Sequence, residues 1–200
     1  VAELKAACPL FEIPVQSGND DILRRMRRGY TVDAFRRLIE AIRSRVPDAA
    51  LHTDVIVGFP GESEAAFQDT YRLLQEIQFD KVHVARYSPR PGTTAAEEME
   101  DDVPEEEKER RFWAVEYLQR EILARTAQSW QGKTVSVLVE TTDAAGRWRG
   151  RTHRDQLVFF DDPNERLGQI VDVRIEQTDP FWFVGRPAAS TAGHFQPGAG

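Results

Sequence analysis

The chain has 200 residues, of which 40% are hydrophobic and 30% are charged, and its formal net charge is −7. This composition indicates a folded core, and the negative charge argues against a protein that coats nucleic acid over its whole surface. Its single cysteine, Cys8, excludes an internal disulfide and a metal or iron–sulfur site built from cysteines of this chain alone. No apolar run approaches the roughly 20 residues that span a bilayer, so we expect a cytoplasmic protein without a membrane partner.

The first half of the chain alternates predicted strands with predicted helices. We expect strands at Leu10–Gln16, Leu51–Val57 and Lys81–Tyr87, since each is a short run followed by Gly, Pro or Ser. Apolar residues between them recur at helical spacing, with Ser63 as an N-cap and Gly29 closing the first helix. Strands separated by about 35 residues need helical crossovers, which predicts a parallel βαβαβ arrangement.

The second half changes in character. The acidic segment Glu97–Glu109 is interpreted as a solvated connection into a helix, with Pro104 at the first helical position. Short strand-like runs separated by turn signals follow at Thr134–Glu140, Trp148–His153, Gln156–Phe160, Ile170–Glu176 and Phe181–Val184. This pattern predicts a small β-barrel. We therefore predict an α/β domain at 1–127, an all-β domain at 130–187 and a disordered tail at 188–200.

Three predicted strand ends could together form a ligand site. Parallel α/β sheets bind ligands at the C-terminal ends of their strands, and residues 14–18, 58–62 and 87–92 follow such ends. Their small and polar residues allow close approach to the backbone, although each alone is also typical of an ordinary turn. Asp54 lies in an otherwise apolar strand and needs a partner or a pocket, as a core residue or as a ligand contact. The histidines of these strands lack metal-ligand spacing, so we predict no metal site.

Basic residues surround an aromatic residue in the predicted barrel. Arginines that alternate along one strand share a face, and guanidinium groups near an aromatic ring fit phosphate contacts with base stacking. A solvated edge strand would give the same pattern. Because the whole chain is acidic, nucleic-acid binding would be local and salt-sensitive. The candidate RNA-binding residues are Lys133, Arg147, Trp148, Arg149, Arg151 and Arg154.

Four motifs occur together along the chain: IPVQSGND at 13–20, MRRGYT at 26–31, DVIVGFPGE at 54–62 and YSPRPGT at 87–93. As a set they resemble the radical S-adenosylmethionine (SAM) methylthiotransferases, and most closely the MiaB family. Residues 131–187 resemble the TRAM domain, a small RNA-binding barrel. The resemblance implies the C-terminal half of a six-stranded partial barrel followed by a TRAM domain.

This resemblance implies an enzyme that adds a methylthio group to C2 of N6-isopentenyladenosine at position 37 of tRNA. The whole protein would be a monomer that uses SAM and two [4Fe–4S] clusters, and tRNA would be its partner. The family's cluster-binding cysteines are absent from this sequence, so we expect this chain alone to be inactive, with no catalytic residue and no metal ligand.

The residues that the resemblance carries over to SAM binding lie on the strand ends and on one helix. Glu62 could orient its loop rather than touch the ligand, and Arg28 could bind the methionyl carboxylate because a guanidinium pairs well with one. The cofactor-binding candidates are Gln16, Ser17, Asp54, Ile56, Gly58, Glu62 and Arg28.

Alternatives remain open at this point. A paralogue could act on threonylcarbamoyladenosine in tRNA or on a ribosomal protein. The resemblance favours tRNA over protein, because the paralogue that acts on a ribosomal protein usually has acidic residues where this chain has Arg90 and Pro91. The chain could also be an RNA-binding module without catalysis. A third alternative is an unrelated α/β enzyme that uses Asp54 and Glu62 as an acid/base pair.

Overall fold

The computed structural model describes residues 7–188. The chain divides into two compact units, Val1–Ala127 and Gln128–Gly200. From residue 189 onward, the predicted disordered tail lies outside the described residues. Between residues 7 and 188, no helix has the length and apolar character needed to cross a membrane.

The first unit is built on a parallel sheet in the order β1-β2-β3, with helices connecting the strands. This arrangement confirms the predicted α/β class and the βαβαβ order. The elements are β1 (Leu10–Glu12), α1 (Asp20–Arg25), α2 (Val32–Arg45), β2 (Ala50–Val57), α3 (Glu64–Ile77), β3 (Lys81–Arg86), α4 (Thr94–Glu98) and α5 (Glu105–Gln128).

Local sequence signals explain most helix boundaries in this unit. The Ser63 hydroxyl accepts a hydrogen bond from the backbone N–H of Ala66, which confirms the predicted N-cap of α3. The predicted end of α1 at Gly29 is wrong, because the helix stops at Arg25. The left-handed residue after α1 is Arg27, with φ 56°. The left-handed conformation after α1 is therefore adopted by Arg27, whereas the sequence pattern favoured Gly29 for the end of this helix.

One face of the sheet is packed in the core, and the other, called the polar face below, carries polar residues among apolar ones. Alternate residues of β2 such as Leu51 and Val55 are buried in a core that includes Phe67 of α3 and Val115 of α5. The intervening residues of β2 point to the other face. These include Asp54, which is half-buried there. Parallel sheets covered on both sides carry apolar runs, so the polar face is the side suited to a ligand.

The second unit is a closed five-stranded barrel in the order β4-β5-β6-β8-β7, which confirms the predicted small β-barrel. All of its strand pairs are antiparallel except β6 with β8. Its strands are β4 (Thr134–Thr142), β5 (Trp148–Thr152), β6 (Leu157–Phe160), β7 (Ile170–Thr178) and β8 (Trp182–Pro187). Alternating residues such as Val137, Val158, Phe160 and Phe183 fill its interior.

Gly150 allows two barrel strands to approach closely. A Cβ added at Gly150 would lie 2.2 Å from the carbonyl oxygen of Leu138 on the neighbouring strand. Because that atom belongs to the backbone of a paired strand, it cannot move aside cheaply. A side chain at this position would therefore force the two strands apart and destabilise the barrel.

Candidate functional site

The turn after β2, residues Gly58–Glu62, is called the rim loop below. Gly58 has φ +71°, and its N–H donates to the Glu62 carboxylate across 2.6 Å. Arg111 of α5 donates from Nη1 to both the carboxylate and the carbonyl oxygen of Glu62, each across 2.8 Å. The loop is thus closed by its own glutamate and attached to a helix that lies 49 residues further along the chain.

The Glu62 side chain is 0% exposed, so its charge has no access to solvent. Burial raises the pKa of Glu62, while hydrogen bonds from Gly58 and Arg111 act in the opposite direction. A buried carboxylate held in this way supports the loop and is not placed for acid/base work with Asp54. The geometry therefore disfavours the unrelated acid/base enzyme, and it assigns Glu62 to loop orientation.

The turn after β1 continues the sheet by backbone contacts. Gln16 has φ 66°; its N–H donates to the Asp54 carbonyl across 2.9 Å, and its carbonyl accepts from Ile56 N–H across 3.0 Å. Ser17 is fully buried, and its hydroxyl lies 3.3 Å from that of Thr70 on α3. The Ser17 side chain therefore supports the turn, and it does not form part of a ligand-facing surface.

A cavity of about 240 Å³ lies beside the rim loop, between the end of α1, the end of β2 and the start of α4. It brings together Arg28 and Ile56, two of the predicted SAM-binding residues, and Phe59 of the rim loop also lines it. Asp54 points to the same sheet face as Ile56, two positions earlier in β2, but is not among the residues that line the cavity; it lies opposite His83 in the strand register. The cavity thus combines apolar walls with guanidinium groups.

The acidic segment before α5 is not simply a solvated connection. Asp101 forms an ion pair with Lys108 at 2.7 Å, and Asp102 accepts a 2.7 Å hydrogen bond from the N–H of Gly61. Lys108 is itself buried. Asp101 and Asp102 are exposed, as the solvated interpretation predicts, and their contacts also hold α5 and the rim loop together.

A helical pattern in the sequence contains the signal for these contacts. Positions 108, 111, 115, 118 and 122 lie three or four residues apart, and the last three are apolar core residues. On a helix this spacing forms one stripe. The stripe places Lys108 and Arg111 on the buried face of α5, and a buried basic residue needs an acidic partner.

Two of the predicted RNA-binding arginines are paired with carboxylates of the barrel itself. Arg147 contacts Asp143 at 2.8 Å, and Arg151 contacts Asp155 at 2.8 Å. Partial burial opposes ionisation of Asp143, but hydrogen bonds, led by that from Arg147, outweigh it and lower the pKa of Asp143. These guanidinium groups are already partly neutralised within the protein.

Trp148 is not placed as a stacking surface. Its ring is half-buried, and its Nε1–H donates to the Asp162 carbonyl across 3.1 Å. Trp182 is the better candidate, since it is 39% exposed and meets Phe159 edge-on at 6.3 Å between ring centroids. The Arg147 guanidinium lies 5.2 Å from the Phe159 centroid. An aromatic pair with one exposed ring, Trp182, therefore replaces the tryptophan that the sequence pattern indicated.

Arg149 differs from the paired arginines. It lies opposite Phe159 in the register of β5 and β6, and its buried Nε has no hydrogen-bond partner. Phe159, Trp182, Arg147 and Arg149 are called the aromatic face below. The other two predicted residues, Lys133 and Arg154, lie 5.2 and 5.8 Å from the Trp130 ring centroid.

Within residues 7–188, no three His, Cys, Asp or Glu side chains come together in a way that could hold a metal ion. Cys8 is exposed and is the one cysteine of the sequence. A [4Fe–4S] cluster is held by several cysteine thiolates. The described residues therefore do not fit an iron–sulfur cluster.

Comparison with known proteins gives separate matches for the two compact units of the chain. Residues 1–74 match the Radical SAM superfamily, and residues 128–186 match the TRAM domain. A "tRNA-2-methylthio-N(6)-dimethylallyladenosine synthase" of Chloroflexus aurantiacus is 47% identical over 190 residues, covering 94% of this chain and 41% of the relative. These matches support a fragment of the MiaB type. The predicted resemblance is thereby confirmed.

Two further relatives of the same name support the assignment to the MiaB-type family. That of Roseiflexus sp. is 48% identical over 194 residues, covering 95% of this chain and 40% of the relative. That of Herpetosiphon aurantiacus is 41% identical over 195 residues, covering 96% and 44%. The chain spans about two fifths of the length of these curated relatives. Radical SAM proteins use SAM and iron–sulfur clusters, which gives the cavity beside the rim loop a chemical context.

Proposed function

We propose that this chain supplies a SAM-binding rim and a tRNA-binding barrel to an enzyme that makes 2-methylthio-N6-dimethylallyladenosine in tRNA. The aromatic face of the barrel is the observation that carries the proposal. It presents an exposed ring and guanidinium groups together, as a surface that binds unpaired bases and phosphates requires. The relatives' names supply the reaction.

The cavity beside the rim loop fits part of a SAM molecule. Ile56 and Phe59 offer apolar contacts to an adenine ring, and Arg28 offers a guanidinium to the methionyl carboxylate. Gln16, Ser17, Gly58 and Glu62 shape the surrounding turns through the contacts described above. When bound, SAM supplies the radical chemistry of the superfamily; the residues of this chain bind and orient it.

Both [4Fe–4S] clusters of the whole protein are, in this proposal, held by residues outside this chain. The basis is the mismatch between the described residues and a thiolate site. The whole protein acts as a cytoplasmic monomer on tRNA, and the isolated chain binds tRNA without modifying it.

A binding experiment tests the RNA part of this proposal. Filter binding of the 200-residue chain to tRNA carrying N6-dimethylallyladenosine should weaken about tenfold in Trp182→Ala, because one stacked base contributes about 1–3 kcal/mol. Arg174→Gln removes an exposed arginine from β7, outside the aromatic face, and serves as a control with little expected effect. Equal binding by wild type and Trp182→Ala would reject the aromatic face as the RNA surface.

A chimera tests the reaction itself. The aligned 190 residues of the Chloroflexus aurantiacus relative are replaced by the corresponding part of this chain, and the tRNA nucleosides are measured by mass spectrometry. We expect 2-methylthio-N6-dimethylallyladenosine as the product. A methylthio product formed only on threonylcarbamoyladenosine, or on a ribosomal protein, would favour the corresponding paralogue instead.

A further inference from the structure

Two basic side chains of α5, Lys108 and Arg111, are buried against the rim loop. Lys108 is 3% exposed and Arg111 is 4% exposed. They lie three residues apart, so they project from the same side of the helix. Fully buried lysine and arginine are rare unless they are paired, and each of these two contacts the rim loop as well as acidic partners.

Lys108 covers the start of the rim loop. A Cβ added at Gly58 would lie 2.3 Å from Lys108 Cγ, so the lysine stem packs directly on the Gly58 backbone. The ammonium lies 5.5 Å from the centroid of the Tyr87 ring. Tyr87 in turn meets Phe59 edge-on at 5.1 Å, and Phe59 lines the cavity. A continuous line of contacts therefore joins the lysine to the cavity wall.

Arg111 holds the other end of the same loop. Its Nη1 bonds both the carboxylate and the carbonyl of Glu62, while its Nε donates to Glu107 across 2.8 Å. The guanidinium also lies 5.4 Å from the ring centroid of Phe67 on α3. One side chain thus joins α5, α3 and the rim loop.

We propose that Lys108 and Arg111 are positioning residues for the SAM-binding rim. They hold the rim loop so that Ile56 and Phe59 form the cavity wall before a ligand arrives, which reduces the ordering cost of binding. The identity of the ligand rests on the proposed function, whereas the restraint on the loop does not. Nothing about these two residues requires them to touch the ligand.

Arg110 is a matched control for Arg111. Its side chain is 49% exposed, and it pairs with Glu107 and Glu64 without contacting the rim loop. Replacing either arginine by methionine removes one positive charge from the same turn of α5. A difference between the two variants therefore reports on the loop contacts rather than on net charge.

Amide hydrogen exchange tests the restraint. The Gly58 N–H donates to Glu62 in the native loop, and we expect Arg111→Met to accelerate its exchange about tenfold or more, as for the loss of a hydrogen bond to a charged group. Arg110→Met should leave the rate within about twofold. Where Arg111→Met does not fold, Arg111→Lys keeps the charge but lacks the second nitrogen with which Arg111 bonds Glu107 while Nη1 bonds Glu62. Unchanged Gly58 exchange in the folded variant would overturn the proposal.

Ligand binding provides the second readout. S-adenosylhomocysteine, titrated into the 200-residue chain and followed by NMR, should bind wild type and Arg110→Met equally and Arg111→Met about tenfold more weakly. Equal affinity of wild type and Arg111→Met would overturn the positioning role. If wild type fails to bind while Gly58 exchange still depends on Arg111, the restraint stands and the proposed ligand is wrong.

Discussion

The rim loop and the aromatic face both depend on arginine, but they use it in different ways. At the rim, Arg111 is buried and bonded to Glu62 and Glu107. On the barrel, Arg149 lies beside Phe159 with an Nε that has no hydrogen-bond partner. An arginine whose donors are satisfied inside the protein holds a structure in place. A guanidinium that no carboxylate pairs with in the described part of the chain, as at Arg149, keeps its positive charge for a phosphate.

The largest expected effect is the loss of stability on replacing Arg111, which tests its role in holding the rim loop. Arg111→Met leaves the fully buried Glu62 without its guanidinium partner, and removal of one partner of a buried pair costs about 3–5 kcal/mol. Arg110→Met removes an exposed pair and should cost about 0–1 kcal/mol. Urea unfolding followed by circular dichroism measures both. Similar losses of unfolding free energy in the two variants would contradict the assigned role of Arg111.

Gly150 and Gly58 can be compared with each other. A Cβ atom added at either one would lie at nearly the same short distance from its nearest neighbour, but the neighbouring atom differs. A Cβ at Gly150 meets the backbone oxygen of Leu138 at 2.2 Å, whereas a Cβ at Gly58 meets Cγ of the buried Lys108 side chain at 2.3 Å. Gly150→Ala should therefore destabilise the barrel by about 3 kcal/mol. Gly58→Ala should cost about 1–3 kcal/mol through its positive φ, and overpacking against the Lys108 stem should add to that cost.

A double variant separates the two causes at Gly58. If contact with Lys108 contributes, Lys108→Ala should recover part of the loss caused by Gly58→Ala, which a double-mutant cycle measures as a coupling energy. Strictly additive losses would mean that the backbone strain accounts for the whole cost. No single side-chain truncation is expected to rescue Gly150→Ala, because the obstructing oxygen belongs to the main chain.

Local patterns predicted most of the architecture, because they carry their physical cause within a few residues. The parallel α/β order, the N-cap at Ser63 and the five barrel strands follow from short-range periodicity and turn residues. The end of α1 was missed because Arg27 adopts a conformation that the sequence alone assigns to glycine.

The candidate sites were less predictable because tertiary contacts decide them. The pattern around Arg147 pointed to Trp148, but strand alternation places that ring half-buried, whereas Trp182 lies more than 30 residues further along the chain. The contact of Arg111 with the rim loop joins residues 49 positions apart. Neither proximity follows from local spacing alone, although the helical stripe through Lys108 is a local signal of its burial.

A smaller effect is expected on the salt dependence of tRNA binding, which tests the roles of Arg149 and Arg147 on the barrel. Arg149→Gln should reduce the slope of log affinity for tRNA against log salt by about one unit, as for the loss of one phosphate contact. Arg147→Gln should change the slope less, because Asp143 already neutralises that guanidinium at 2.8 Å. Filter binding at several salt concentrations gives both slopes. A larger change for Arg147→Gln would show that the internal pair opens when RNA binds.

The smallest expected effect is a pH dependence at the rim. Hydrogen bonds from Arg110, followed by those from Arg111, lower the pKa of Glu107 from 4.5 to about 2. A carboxylate whose folded-state pKa is lowered stabilises the protein above its unfolded pKa, so this contribution is lost as pH falls from 4.5 towards 2. Glu62 contributes with the opposite sign, because burial raises its pKa.

The comparison of wild type with Glu107→Gln isolates the Glu107 contribution. Because this side chain is partly exposed, we expect a difference below about 1 kcal/mol. Urea unfolding at pH 6 and at a pH near 3 should therefore show a slightly steeper loss of stability for wild type than for the variant. Parallel pH profiles would mean that solvent screens the Glu107 pairs completely, and that the rim depends on the buried contacts of Arg111 alone.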